Sequence, residues 1–279
     1  MTNQSILKKY RRQPKLQIDL PSRGEYYPPD ALYENQHTDI PVFSMTPNDE
    51  IMFKTPDALI NGEATVATIK SCIPTITDPW SIPTLDIDTV LVAIRIASYG
   101  DTMNVLKVCK DCGSENQYEI PLTSYLDSYL TKTFNNKLTI DNFTFHFRPL
   151  SYREFTNGQK RLLGIRRSIN QVITNKDFSD DDKGKAMDPL YIELAKAQLE
   201  AITNAIVGIE VEGEIEKNKQ EIMEFLDNND TKYIAKVKKT IEENHKTWSP
   251  PKHSIKCNEC NKDDQMQVTL DTSDFFGKG

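Results

Sequence analysis

Apolar residues change their spacing several times along this chain, and each change predicts an element. Leu16, Ile18 and Leu20 alternate with polar neighbours as in a short strand, until Pro21-Ser22-Arg23-Gly24 breaks the run. Tyr26-Tyr27-Pro28-Pro29 follows without periodicity, and Ile40-Pro41-Val42-Phe43 is another short extended piece. The first fifteen residues carry Lys8, Lys9, Arg11, Arg12 and Lys15 with no acid. Residues 1–45 are therefore expected to form an extended basic N-terminal arm. Its first fifteen residues are either solvated and disordered or a partner-binding tail that orders on assembly, and the stretch after them lies extended on its own domain or on a neighbour.

Residues 46–100 read as a small helical region. Asn48 or Asp49 can cap one start and Pro56 can begin another helix. Ala64 to Cys72 has helical spacing ahead of Pro74. The clearest helix follows Pro83: Asp86 is its expected cap, Ile87, Val90, Leu91, Ile94 and Ala97 share one face, and Gly100 ends it.

Residues 101–150 are expected to hold two hairpins. One turns at Cys109-Lys110-Asp111-Cys112-Gly113. The other turns at Asp141-Asn142 and carries Phe143, Phe145 and Phe147 on one face, as core packing. From Ser151 to about Trp248 the period becomes helical. Ser151 and Glu154 make a capping box for a helix with Phe155, Leu162, Ile165, Ile169 and Val172 on one face. Arg153, Lys160 and Arg167 lie nearly opposite, either as a solvated basic face or as a docking stripe for an acidic partner. Asp177 to Asp182 reads as linker. Asp188-Pro189 then opens a helix with Ile192, Ala195, Leu199, Ile202 and Ile206 in register, and a third helix covers about Glu214 to Leu226. A fourth, capped by Asp230, turns Ile234, Val237 and Ile241 inward. Residues 151–249 thus form a helical-bundle insertion, and residues 250–279 hold a last hairpin and the apolar tail Asp274-Phe275-Phe276-Gly277, which docks back or onto a partner.

The chemistry sits in the cysteines. Four of the five fall in two Cys-x-x-Cys pairs, Cys109/Cys112 and Cys257/Cys260, each between two strand-like runs. A two-residue gap lets both thiolates of a pair face one tetrahedral ion, and Gly113 and Asn261 suit the left-handed backbone of such a knuckle. Two disulfides or a redox dithiol are the alternatives, but a redox pair belongs between a strand and a helix, with small or proline residues inside it. Structural Zn2+ held by Cys109, Cys112, Cys257 and Cys260 is the reading adopted. A rubredoxin-like iron site would use the same ligands. Closing the intervening loop costs roughly 4 kcal/mol beyond a constant. Structural zinc contributes on the order of 10–16 kcal/mol in small peptides. The expected fold class is α+β: a split zinc ribbon of two Cys-x-x-Cys β-hairpin knuckles, with the helical-bundle insertion and the extended N-terminal arm. Cys72 reads as a small buried apolar residue.

Composition narrows the function. A net charge of −7 argues against bulk affinity for nucleic acid, and Asp111, Glu115, Glu259, Asp263 and Asp264 make the knuckles acidic. Mean hydropathy is −0.56, and no apolar run approaches the roughly eighteen residues of a membrane helix. His37, His146, His245 and His253 are scattered and form no metal-ligating motif. Neither a phosphate-binding loop nor a Gly-x-Ser-x-Gly elbow occurs, and four thiolates leave a metal no open position. No enzyme activity and no small-molecule substrate are expected.

Two stretches carry a resemblance. Leu20-Pro21-Ser22-Arg23-Gly24 with Tyr26-Tyr27, and Phe147-Arg148-Pro149-Leu150-Ser151-Tyr152-Arg153-Glu154-Phe155, resemble the T4-type phage baseplate family, which contains hub subunits and hub-assembly proteins. The resemblance implies a structural or assembly protein, made in the host cytoplasm, that contacts other baseplate and tail proteins under the tail tube. It transfers no catalytic residue. Arg23, Tyr26 and Tyr27 are the candidate partner contacts, with intramolecular packing as the alternative role. Two rivals stay open: a transient hub-assembly chaperone absent from the virion, and a zinc-ribbon nucleic-acid-binding accessory factor.

Overall fold

The computed structural model describes residues 7, 10–55, 61–268 and 275–276. Lys8, Lys9, Pro56, Asp274 and Gly277 lie outside the described residues. The chain divides into two compact units, Met1–Lys132 with Ser249–Gly279, and Thr133–Trp248. The hairpin around Asp141-Asn142 therefore belongs with the insertion, not with the first knuckle, and the expected boundary at residue 150 moves to 132. Mixed α and β structure is what both units show.

In the first unit, strands β1 (Leu16–Ile18) and β2 (Ile40–Val42) pair antiparallel, with Leu16 opposite Val42. Helices α1 (Pro47–Phe53), α2 (Glu63–Cys72) and α3 (Thr84–Tyr99) follow. Residues 11–45 are not an extended arm. Ile18, Leu20, Ala31, Leu32, Ile40 and Val42 are all buried and supply part of this unit's core. The strands are three residues long, too short to show a period, and turns with positive φ at Gly24, Asp30 and Asp39 fold the segment back. Arg12 donates to the carbonyls of Ser44 and Ser71 and lies 4.0 Å from Asp49, so at least one cation of the basic segment serves the fold.

Helix α3 is apolar almost all round: Leu85, Val90, Leu91, Val92, Ala93, Ile94 and Ala97 are buried, as befits a helix inside a core. Asp86 is not its cap. The helix starts at Thr84 behind Pro83, and Asp86 is wholly buried in the first turn, accepting from Ser22 N (2.8 Å) and Ser22 Oγ (2.5 Å). Burial pushes this carboxyl up to about 7, although the bonds from Ser22 oppose the shift. Likewise α1 is capped by Thr46 rather than Asn48 or Asp49; Asp49 closes the capping box as its third residue. Phe275 and Phe276 dock back onto this unit, Phe276 stacking on Phe53 at 4.6 Å and Phe275 lying under Arg95.

Beyond Gly100, strands β3 (Thr102–Val108) and β4 (Glu115–Pro121) form a hairpin, α4 (Thr123–Leu130) follows, and β9 (Lys252–Lys256) and β10 (Asp263–Gln267) form a second hairpin. Tyr125 and Tyr129 anchor α4 from fully buried positions. Tyr129 donates to Asp88 at 3.1 Å, and the Tyr125 ring sits 5.2 Å from His253.

The second unit is not a pure helical bundle. A four-stranded antiparallel sheet runs in the order β5 (Lys137–Ile140), β6 (Phe143–Phe147), β7 (Ile206–Val211) and β8 (Glu214–Glu216). Its last hairpin turns at Glu212-Gly213, both with positive φ, within a stretch expected to be helix ends and linker. Helices α5 (Tyr152–Thr174), α6 (Asp180–Ala205), α7 (Lys219–Asn228) and α8 (Thr231–Thr247) complete it. Phe145, Phe147, Ile206, Ile209, Leu226 and Val237 form the centre of its core. The expected linker at 177–182 is the first turn of α6: Ser179 caps it, Asp182 completes the box, and three aspartates meet the positive end of the helix dipole. Pro189 lies inside this helix at an exposed position, and Ile192 is exposed rather than inward.

The Ser151 capping box forms as expected. Arg148 grips Glu154 through two bonds (2.9 and 2.5 Å), while Ser151 N donates to the same carboxylate at 2.9 Å. Burial alone would raise the Glu154 pKa, but these donors outweigh it and hold the group down at about 2.

Candidate metal centre

Each knuckle is made by its own backbone. In the first, Cys109 N donates to Ser114 O (2.8 Å) and Gly113 N to Cys109 O (3.0 Å); in the second, Cys257 N donates to Lys262 O (3.0 Å) and Asn261 N to Cys257 O (3.0 Å). Gly113 (φ 73°) and Asn261 (φ 58°) occupy the left-handed region at equivalent positions, as the sequence leads one to expect. The two turns repeat one design 148 positions apart, counting Cys109 to Cys257.

The hairpins bring all four thiols together. Cys109, Cys112, Cys257 and Cys260 place their sulfurs within 4.8 Å of one another, and none is in a disulfide. Two cross-hairpin separations, Cys109–Cys260 and Cys112–Cys257, are 3.6 Å. A tetrahedron with metal–sulfur bonds of about 2.3 Å has edges of about 3.8 Å, so the cluster has the size a zinc or iron ion requires. Its donor chemistry also calls for a cation. The Cys257 thiol is drawn down to about 5 by the backbone N–H of Cys260 and by the Ser114 hydroxyl. Ser114 lowers Cys112 in the same way. At Cys260 the Lys262 N–H favours the thiolate, but burial and the other three sulfurs outweigh it and push the thiol up to about 12. A divalent ion would neutralise the repulsion among the clustered thiolates.

Residues outside the Cys-x-x-Cys motifs hold the hairpins together. The buried Asn116 donates to Cys257 Sγ (3.5 Å) and accepts from Asn258 N (2.9 Å). The Ser114 hydroxyl lies 3.1 Å from Cys112 Sγ and 3.3 Å from Cys257 Sγ. Lys107 pairs with Asp264, and Lys262 with Asp111, both at 2.7 Å, so the acids around the knuckles are partly spent on one another's lysines. Sequence reading missed Ser114 and Asn116. Their only signal is a small polar residue at the second and fourth positions after Cys112, where the turn enters the strand, which becomes legible once the second hairpin is seen to cover them.

The chain matches the family model described as T4 bacteriophage base plate protein over residues 48–277. It belongs to that family. No curated protein and no solved structure matches it. Membership gives the chain a structural or assembly role in the phage baseplate and other baseplate proteins as its partners. Among the described residues no helix is long and apolar enough to cross a membrane.

Both stretches that carried the resemblance act as internal locks in this baseplate protein: Ser22 on Asp86, and Arg148 with Ser151 on Glu154. Of the three candidate contacts, Arg23 is exposed on the tip of its turn (φ 53°) and Tyr26 is half-buried. The Tyr27 hydroxyl is sealed from solvent near Asp86, and burial first, then that carboxylate, holds its pKa well above the ordinary tyrosine range.

Proposed function

We propose that this protein is a structural subunit of the baseplate hub, built around a split zinc ribbon. One zinc held by Cys109, Cys112, Cys257 and Cys260 cross-links the two hairpins, while other surfaces contact neighbouring tail proteins. The observation that carries the metal assignment is the 3.6 Å spacing between sulfurs of different hairpins. The role is architectural, because a closed tetrathiolate offers substrate no coordination position. The ion closes a loop across which Lys132 Nζ already donates to Ser249 O at 2.9 Å. Arg23, on its tight turn, is the proposed contact of the N-terminal segment. The protein is made in the host cytoplasm and retained in the tail.

Quantitative mass spectrometry of purified virions tests this reading. Stoichiometric recovery in the baseplate supports a subunit. Recovery in assembly intermediates with absence from virions refutes retention and makes the protein an assembly chaperone. Elemental analysis of the same protein separates zinc from iron.

A further inference from the structure

We infer that the edge of β3 accepts the basic N-terminal segment of a second copy of this chain, which adds to the first knuckle hairpin as a third strand. The inference goes beyond the baseplate role proposed above and needs neither retention in the tail nor a particular metal. Cys109 N donates to Ser114 O and Leu122 N to Asp101 O, and these two bonds fix the phase of the ladder between them. Hydrogen-bonded pairs alternate along an antiparallel ladder, so Asn104, Leu106 and Val108 turn their N–H and C=O groups away from β4. Among the described residues, nothing pairs with those groups.

An open edge invites pairing, and proteins guard their edges by shortness, charge or proline. Among the described strands, β1, β2, β5 and β8 are only three or four residues long. The longer edges carry guards: Glu115, Glu119 and Pro121 on β4, Lys252 and Lys256 on β9, and Asp263 on β10. Strand β3 is the exception. It is seven residues long, and its outward side chains are Thr102, Asn104, Leu106 and Val108. Leu106 and Val108 are 63% and 59% exposed. Its one cation, Lys107, turns to the other face and is held by Asp264.

Charge selects the occupant. On the outer face Glu119 stands opposite Asn104 and Glu115 opposite Val108, both acids are exposed, and neither strand puts a cation on that face. The first fifteen residues of the chain carry five cations and no acid, and the first thirteen hold no glycine or proline to oppose a strand. Extended, Leu7, Lys9 and Arg11 share one face. Leu7 then continues the apolar pair of Leu106 and Val108, while Lys9 and Arg11 cross β3 to the glutamates, two strand spacings or about 10 Å away. Arg12 and Lys15 fasten the end of this segment to its own unit, on Ser44, Ser71 and Val42. Beyond that anchor Leu7 and Tyr10 are 69% and 73% exposed. Segment and edge, each exposed within one chain, meet between chains in a head-to-tail contact.

Sedimentation velocity of the full-length chain across a range of concentrations tests this, and wild type should self-associate. Lys8→Glu with Lys9→Glu and Arg11→Glu reverses the segment, and Leu106→Lys with Val108→Lys guards the edge. Both variants should keep the wild-type melting temperature, and each alone should associate at least about tenfold more weakly. Mixed, they should form a one-to-one dimer and nothing larger, because one supplies the edge and the other the segment. Amide exchange at Leu106 and Val108 should slow on assembly. A wild type that stays monomeric up to millimolar concentration overturns the inference. So does a segment-reversed variant that associates like wild type, the behaviour of β3 pairing with β3, or a mixture that stays monomeric. Slow exchange at Leu106 and Val108 in a wild-type monomer, lost on reversing the segment, would put the segment on its own chain and overturn the inference as well. None of these failures touches the baseplate role, which the virion analysis tests separately.

Discussion

Replacing Asp86 by Asn should remove a pH dependence that the wild-type fold cannot avoid. Asp86 is fully buried, and its carboxyl titrates at about 7 in the folded chain against 3.8 when free. Between those values the folded state keeps a proton that the unfolded state has released. The stabilisation is complete below 3.8 and is lost as pH rises through 7. At 1.36 kcal/mol per unit, the span corresponds to about 4 kcal/mol, a large share of a domain's typical stability. Asn keeps the shape and can still accept from Ser22 N, but it stays neutral at every pH. Trp80 is the single tryptophan of the first unit, so its fluorescence in a Trp248→Phe background reports that unit alone. Urea unfolding at pH 5 and pH 8 should show wild type losing stability toward pH 8 more steeply than the Asp86→Asn variant, which ends the more stable of the two. Asp88, raised to about 6 by burial, adds slope of the same sign to both proteins and cancels in the comparison. Parallel profiles, or a variant that is less stable at pH 8 with its slope unchanged, would refute the reasoning.

Other outcomes follow from single contacts. Gly208→Ala would bring a Cβ to 2.7 Å from Ile215 Cγ2 and 2.9 Å from the Glu216 carbonyl, so overpacking of the second unit should cost about 1–3 kcal/mol, read as a lowered urea midpoint. Phe145→Ala empties the centre of the same core and should cost about 3–5 kcal/mol in the same assay. Asn116→Ala removes a donor to Cys257 and the acceptor of Asn258 N, and should weaken metal affinity about 10–100-fold in competition with a chromogenic chelator. Glu154→Gln loses a charge held down at about 2 by Arg148 and Ser151. It should remove stability that wild type has above pH 4.5 and loses as pH falls toward 2, visible as acid-denaturation curves that converge at low pH.

The features legible in the sequence were those written in adjacent residues. Both cysteine knuckles, their left-handed Gly113 and Asn261, the Asp141 turn and the Ser151 box all depend on contacts a few positions apart. What escaped depends on distant partners. Ser22 and Asp86 are 64 residues apart, and three-residue strands have no period to read, so the N-terminal segment looked like an extended arm rather than part of the core. The hairpin of β7 and β8 was obscured because Ile206 continues the apolar spacing of α6 into the strand. Ser179 and Asp182 form the same capping box as Ser151 and Glu154, but an aspartate in place of glutamate amid an acidic run looked like linker. Pro189 looked like a helix start because proline favours the first turn; at an exposed interior position it costs α6 one backbone donor and is tolerated.

Native mass spectrometry of the full-length chain, purified without added metal, tests the central claim most directly. One zinc ion per chain, lost together with cooperative unfolding of the first unit in the Cys112→Ser variant, is the predicted result. A metal-free chain that melts identically before and after treatment with chelator and zinc would contradict it.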